Sequence, residues 1–244
     1  MRRFYFPFQK ILQNTLIIQN SRECHHIKNV LRLKAGDIIV LFNGAGAQAQ
    51  GRIKSFEGGS VVVEIVSVEQ KNILYPQVVL ACAIPKKSKF ETIIEKATEL
   101  GVSEIIPLKT KRTIVQFKNE QMPAKIARFE KVALAAAKQC QRSDLPVIHP
   151  VMDFMAAVDW LVAGADVVIP SLQGSRKSLK NTCEALSQSR RLAFLIGPEG
   201  DFTDQEYAYA FEKKCIPATL GVQTLRVETA ALACLSFASL YFHS

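Results

Sequence analysis

The 244 residues include one tryptophan, four histidines and six cysteines, and the cysteines are never closer than 19 positions apart. Each scarcity removes a class of chemistry. The cysteine spacing excludes CxxC zinc or redox pairs, and a disulfide framework is not expected in a chain this long. The thiols read as small buried hydrophobes of a reducing compartment. His25 and His26 are the only adjacent histidines, and on a helix they would diverge by about 100°, a poor arrangement for sharing a metal. No metal site is expected. The HExxH, GxSxG and Walker A patterns do not occur, so the commonest signatures of zinc peptidases, serine hydrolases and P-loop enzymes are missing. Long hydrophobic runs are missing too. Arg2 and Arg3 precede an apolar stretch that Pro7, Gln9 and Lys10 interrupt, unlike a secretory signal. The uncharged tail from Thr229 contains Ser and His, falls short of a membrane span and reads as a buried helix. A cytoplasmic protein without a membrane segment is the expectation.

What is present is ordinary globular composition, 48% hydrophobic and 22% charged, with a net charge of +9. The charge is unevenly spread. Residues 1–142 hold 23 cationic and 11 anionic side chains, whereas 143–244 hold 8 and 11. A basic surplus confined to one part of a chain points to a polyanionic partner, of which nucleic acid is the commonest.

The chain divides near residue 72. Before it, residues 38–42, 48–55 and 61–68 alternate as short strands, separated by turn signals at Asn43-Gly44 and Glu57-Gly58-Gly59. A helix capped by Ser21 fits ahead of them and runs through His26 and Val30 to the turn at residues 34–37. This predicts a small β-barrel or sandwich. Residues 44–49 match the GxGxxA form of a dinucleotide fingerprint. However, Gln48, Gln50, Arg52 and Lys54 alternate with Ala49, Gly51 and Ile53, so the segment is predicted to be a hairpin.

Beyond residue 72 strands and helices alternate. Strands are predicted at 78–84, 104–108, 165–170, 192–197 and 218–221. Helices are predicted from a Ser88/Glu91 capping box to Leu100, and at 122–142, 153–162, from Thr203 and from Val227. Gly101 is placed as a C-cap. Such alternation implies a parallel α/β sheet with helices on both faces.

In open parallel sheets ligands bind beyond the carboxyl ends of strands. Two successive strands here end in glycine-bearing loops, Leu195-Ile196-Gly197-Pro198-Glu199-Gly200 and Leu220-Gly221 through Leu225-Arg226. Glycine lets backbone amides and carbonyls approach a flat heterocycle closely. Arg226 is placed to contact phosphate or to stabilise developing negative charge, or else to anchor the last helix through Glu228. On the long helix Ile126, Phe129, Ala133, Ala136 and Cys140 share one arc, and Arg128, Lys131, Lys138 and Arg142 lie opposite, a pattern that suits phosphate contact. Further basic clusters stand at Lys86-Lys87-Lys89 and Lys109-Lys111-Arg112.

The segments RRFY (2–5), HHIKNVLR (25–32), EKATELGV (95–102), QCQR (139–142), GPEG (197–200) and LGVQTLRVETA (220–230), in this order, resemble the small-subunit ribosomal RNA uridine-N3 methyltransferases of the SPOUT superfamily. The resemblance covers essentially the whole chain. It implies a PUA-like RNA-binding barrel over residues 1–72, followed by a SPOUT domain over 73–244 with a deep C-terminal trefoil knot and a homodimer interface. By position, it implies that S-adenosylmethionine is held by Ile169, Pro170, Leu195, Ile196, Gly197, Pro198, Glu199 and Gly200, and by Leu220, Gly221, Leu225, Arg226 and Thr229. Arg226 and Glu199 become the catalytic candidates. The implied substrate is a uridine of the 16S rRNA decoding region in the small ribosomal subunit. RNA contacts are assigned to Arg2, Arg3, His25, Lys28 and Arg32, to Lys86, Lys87 and Lys89, and to the four helix cations. The chain departs from the family pattern at Asp201, where a second glycine is usual, at Gln223, where arginine is common, and at Lys138, where an acid is common. On the residues alone, a non-catalytic RNA-binding or ribosome-assembly factor, a methyltransferase with another RNA target, and a small-molecule α/β enzyme also stay open.

Overall fold

The computed structural model describes residues 2–8, 14–72, 74–86, 89–113 and 121–243. The backbone forms two compact units, one of Met1–Ile73 with Ala137–Leu145, the other of Leu74–Ala136 with Pro146–Ser244. The return of 137–145 to the first unit is not visible in the sequence pattern.

The first unit holds a five-stranded sheet of β1 (Arg3–Tyr5), β2 (Thr15–Ile18), β3 (Ile38–Phe42), β4 (Ala47–Glu57) and β5 (Ser60–Gln70), in the order β1-β3-β4-β5-β2. Alternate residues of these strands, including Ile39, Leu41, Ile53, Val61 and Val63, pack with Phe4, Ile18, Ile27 and Leu33 into one core. The glycine-rich stretch at 44–46 is the β3–β4 turn and not a dinucleotide loop, since Phe42 pairs antiparallel with Gln48. The helix ahead of β3 runs to Val30 as expected, but its cap needs correcting. The first helix, α1 (Ser21–His25), is capped by Asn20, whose side chain accepts from the amides of Arg22 and Glu23, one residue before the expected Ser21. The chain then continues as a π-turn from His26 to Val30. The strands β1 and β2 were not foreseen, because they are short and flanked by mixed polar residues.

The second unit is an eight-stranded, all-parallel sheet. Its strands are β6 (Gln77–Ala83), β7 (Glu104–Lys109), β8 (Val147–Ile148), β9 (Met152–Asp153), β10 (Asp166–Pro170), β11 (Lys177–Ser178), β12 (Arg191–Ile196) and β13 (Ile216–Thr219). The order is β11-β13-β10-β12-β6-β7-β8, with β9 also on β7. Period-two alternation sends successive side chains of β6 to opposite faces. Val78, Leu80 and Cys82 meet one cluster, built with α2 (Lys89–Glu99), α3 (Met122–Gln139), α5 (Leu179–Ala185) and α7 (Val227–Phe242). Val79 and Ala81 meet the other, built with α4 (Phe154–Val162) and α6 (Asp204–Glu212). With both faces buried the strands must be apolar throughout, and they are. Gly101 ends the α2 segment with a φ of 87°, a left-handed conformation that a side chain would disfavour. Ser88, expected to cap α2, lies outside the described residues.

Burial raises the Cys183 and Cys215 thiols to about 11, and pushes those of Cys82 and Cys234 higher still. All six cysteines are free.

In β4, a Cβ added to Gly51 would sit 2.3 Å from Cγ1 of fully buried Val63, a branched side chain with no room to retreat. Gly51→Ala is therefore expected to destabilise the first unit by about 1–3 kcal/mol. A denaturation midpoint unchanged from wild type would refute the clash.

Candidate active site

Three parallel strands adjacent in space, β13, β10 and β12, end at the same edge of the sheet. Their following loops enclose a cavity of about 280 Å³. Pro170 closes β10, and Ser171 and Leu172 come from the loop after it. Ile196 closes β12 and Gly197, Pro198, Glu199 and Asp201 follow it; Thr219 closes β13 and residues 220–221 and 223–226 follow it, with Val227 and Ala230 of α7 behind them.

The loop after β12 is held by side chains on every side. Asp201 N–H donates to Pro198 O at 2.9 Å, which closes a tight turn. Asp201 then adopts a φ of 60°, the left-handed region where aspartate is one of the few tolerated non-glycine residues. Its Oδ1 accepts from Phe202 N–H at 2.8 Å and from the Tyr207 hydroxyl at 2.7 Å. Thr203, where this helix is expected to start, caps α6 in a capping box with Glu206. Buried Glu206 also accepts from Lys111 N–H at 2.9 Å, so its charge is amply bonded. Arg112 donates to the carbonyls of Gly200 at 2.7 Å and Phe202 at 3.2 Å. Its place in a basic cluster suggested RNA contact; the structure instead commits it to this loop. Gly197 is needed for close approach, since a Cβ there would lie 3.2 Å from the Phe202 ring.

In the loop after β13, the Thr219 hydroxyl bonds both the amide and the carbonyl of Gly221, whose φ is 130°. Arg226 is the N-cap residue of α7 and makes no capping bond through its side chain. Glu228 binds Lys89 Nζ at 2.7 Å, and Arg226 adds only a lesser electrostatic pull on the same carboxylate, so Lys89 and not Arg226 is its main partner. The Lys89 ammonium holds the Glu228 carboxyl below the usual range. Glu199 Oε1 accepts from the Lys86 amide at 3.1 Å, tying the loop to the end of β6.

Chain comparisons match this geometry to known proteins. Residues 73–239 match the family described as RNA methyltransferase domain, and 18–66 match RNA methyltransferase PUA domain. The chain belongs to the ribosomal RNA small subunit methyltransferase E family. Relatives of that name include one from Synechocystis, 31% identical across 93% of this chain and 74% of the relative. Another, from Bacillus subtilis, is 29% identical across 97% and 95%. A crystal structure of the family member from Neisseria gonorrhoeae bound to S-adenosyl methionine has a TM-score of 0.86 and 28% identity, covering 99% of this chain and 98% of that one.

Among the residues that the family resemblance assigned to cofactor, Pro170, Ile196, Gly197, Pro198, Glu199, Leu220, Gly221, Leu225 and Arg226 line the cavity. Ile169 and Leu195 point instead into the core at 0% exposure, because their strand positions face the α4–α6 layer. Gly200 packs against Arg112, and Thr229 is exposed on α7 outside the lining. Ser171 and Leu172 were not anticipated, since nothing in their own types marks them; only the strand order brings them in.

The assigned RNA-contacting cations separate into two groups. Arg3 donates to Gln48, Ser143 and the carbonyl of Arg142, Lys138 pairs with Glu23, and Arg142 pairs with Asp144. Arg128 binds Glu91 at 2.8 Å, Lys89 binds Glu228, and Arg2 lies 3.5 Å from Asp37. The idea of an acid-free cationic face on α3 is thus corrected: α3 ends at Gln139, before Arg142, and two of its cations have carboxylate partners. Exposed positions remain at His25, Lys28, Arg32, Lys86 and Lys131. Lys87 lies outside the described residues.

Glu228 titrates at lower pH folded than unfolded, so the Lys89 pair stabilises above the unfolded value and is lost as pH falls through the folded one. Glu228→Gln should cost up to about 1 kcal/mol at pH 7. The gap from wild type should close in strong acid, as read by denaturant titration at each pH. A gap that persists there would assign the loss to something other than the pair.

Proposed function

We propose that the chain transfers a methyl group from S-adenosylmethionine to N3 of a uridine in the decoding region of 16S rRNA, acting on the small ribosomal subunit. The observation carrying this reading is the three-loop cavity with Arg226 at the start of α7, its guanidinium in no hydrogen-bonded ion pair among the described residues. The cavity suits such a cofactor by its size, just under the range of about 300–1,000 Å³ for small-molecule sites, and by its glycine-lined walls.

When bound, the cofactor supplies an electrophilic methyl group on a sulfonium. The protein must then supply a nucleophile in line with it. Uracil N3 is protonated at neutral pH, and its loss of a proton leaves negative charge on the ring. Arg226 stabilises that charge where it develops, which costs no reorganisation at the moment of reaction. Rigid loops contribute alignment, which in the best intramolecular models is worth about 7–11 kcal/mol. The amide of Lys86 fixes the Glu199 carboxylate, which suits Glu199 better to holding the loop than to accepting the proton; a water is the alternative acceptor.

The same reading assigns RNA binding to residues 1–72 and chemistry to 73–244, in the cytoplasm. It takes β10, β12 and β13 as strands of the knotted part of a SPOUT fold. A homodimer is supported by exposed apolar side chains in the second unit, Leu172 at 55%, Val222 at 93% and Leu240 at 73%. In the described residues no helix is long and apolar enough to cross a membrane, and no cluster of metal-ligating side chains occurs.

Incubation with labelled adenosylmethionine and unmethylated small subunits should label one uridine at N3; label on another base or on ribose would refute the assignment. Arg226→Ala should lower turnover by about 10²-fold or more with cofactor affinity retained. Unchanged turnover would remove Arg226 from the chemistry.

A further inference from the structure

Three ionisable side chains line the cavity: Glu199, Asp201 and Arg226. They are not equivalent. Arg226 has the sign of charge suited to an anionic substrate. Glu199 is exposed and spends Oε1 on the Lys86 amide. Asp201 is half-buried and held from one side only. Both donors that reach it, Phe202 N–H and the Tyr207 hydroxyl, bind the same oxygen, Oδ1. Oδ2 has no partner among the described residues.

The donors themselves are rigid. Tyr207 is 2% exposed, its ring packs edge-on against Phe202 at 5.5 Å and stacks on Phe211 at 5.7 Å. Burial, reinforced by Asp201, pushes its hydroxyl well above the usual phenol range, so it stays a donor at any physiological pH. The turn at Pro198 and the left-handed backbone at residue 201 fix the carboxylate from the other end. A carboxylate locked through one oxygen, with the other left unbonded at a residue that lines the cavity, has the construction of a counter-charge: positioned before the ligand arrives, and without an ion-pair partner until it does.

We infer that Asp201 is a cofactor-recognition residue, whose free oxygen pairs with the cationic amino-acid end of adenosylmethionine. This deepens the reading given under Proposed function and rests on it. That end of the molecule carries two positive groups, the sulfonium and the α-ammonium, and either could meet a single carboxylate. If the sulfonium is the partner, methyl transfer removes the charge that Asp201 binds, and the product is held less tightly than the cofactor.

Calorimetric titration of three ligands into the wild type and Asp201→Asn separates these cases. Asparagine tolerates the left-handed conformation and can still accept from Tyr207 and Phe202, so the substitution removes charge and little else. Adenosylmethionine carries both cations, S-adenosylhomocysteine only the ammonium, and 5′-methylthioadenosine neither. Asp201→Asn should weaken adenosylmethionine by about tenfold or more and leave methylthioadenosine unchanged. Adenosylhomocysteine weakened in parallel identifies the ammonium, and adenosylhomocysteine unaffected identifies the sulfonium. Equal weakening of all three ligands would mean a damaged loop and overturn the inference, as would no weakening of any. Tyr207→Phe, which frees the carboxylate without removing its charge, should weaken adenosylmethionine by less than Asp201→Asn does; a larger loss would place the recognition elsewhere. Failure of the wild type to bind adenosylmethionine would instead overturn the functional reading, and this inference with it.

Discussion

The parallel register among β13, β10, β12 and β6 governs everything at the cavity. Strand β12 pairs with β6 from Arg191 opposite Gln77 to Ile196 opposite Cys82. Strand β10 pairs with β13 up to Pro170 opposite Ala218. These registers bring chain positions near 170, 197 and 220 to one edge, although they are far apart in sequence. Because the side-chain period is two, a slip of one residue would exchange the faces of a strand. Ile169 and Leu195 would then leave the core, and the loop residues beyond them would turn with them. Burial on both faces makes that exchange costly, since each face already meets a packed helical layer.

With the edge fixed, the loops are held by carboxylates. Glu206 takes the Lys111 amide and the capping groups of Thr203, Glu199 takes the Lys86 amide, and Glu228 takes Lys89. Charge-assisted bonds of this kind are stronger and more directional than neutral ones, so a loop that carries several is pre-organised. The slightly acidic balance of residues 143–244 thereby gains a structural meaning. Its acids do not repel a partner so much as set the shape of the site.

The sequence made the repeating parts legible and left the coincidences hidden. Periodicity located the central strands and the long helices to within a few residues, because two-sided and one-sided burial leave different rhythms. Both glycine loops were legible for the same reason, as interruptions of that rhythm. Two-residue strands such as β8, β9 and β11 leave no rhythm to detect. Asn20 and Ser21 are both good caps, and which is used depends on where the first helical turn closes. Pairs such as Lys138 with Glu23, 115 positions apart, exist only because the chain returns to the first unit at the end of α3. A lone aspartate after a glycine turn looks like a departure from a motif. Only the tyrosine six residues on, brought round by α6, shows that it is a fixed part of the cavity wall.

The same distinction changes what the basic character of residues 1–142 can mean. A formal surplus counts every cation alike, but a polyanion can neutralise only those without a carboxylate already in place. Arg128, Lys138 and Lys89 already have carboxylate partners within the fold, which a phosphate would have to displace. The cations free for this purpose include Lys28 and Arg32 in the first unit, and Lys86 and Lys131 in the second. Lys28 stands 6.0 Å over the Phe56 ring, a position that leaves its ammonium accessible while restricting its rotamers. A surface of few, partly pre-positioned cations favours recognition of a shaped RNA over adhesion to any RNA. That is the demand made on an enzyme whose family acts on ribosomal RNA of the small subunit.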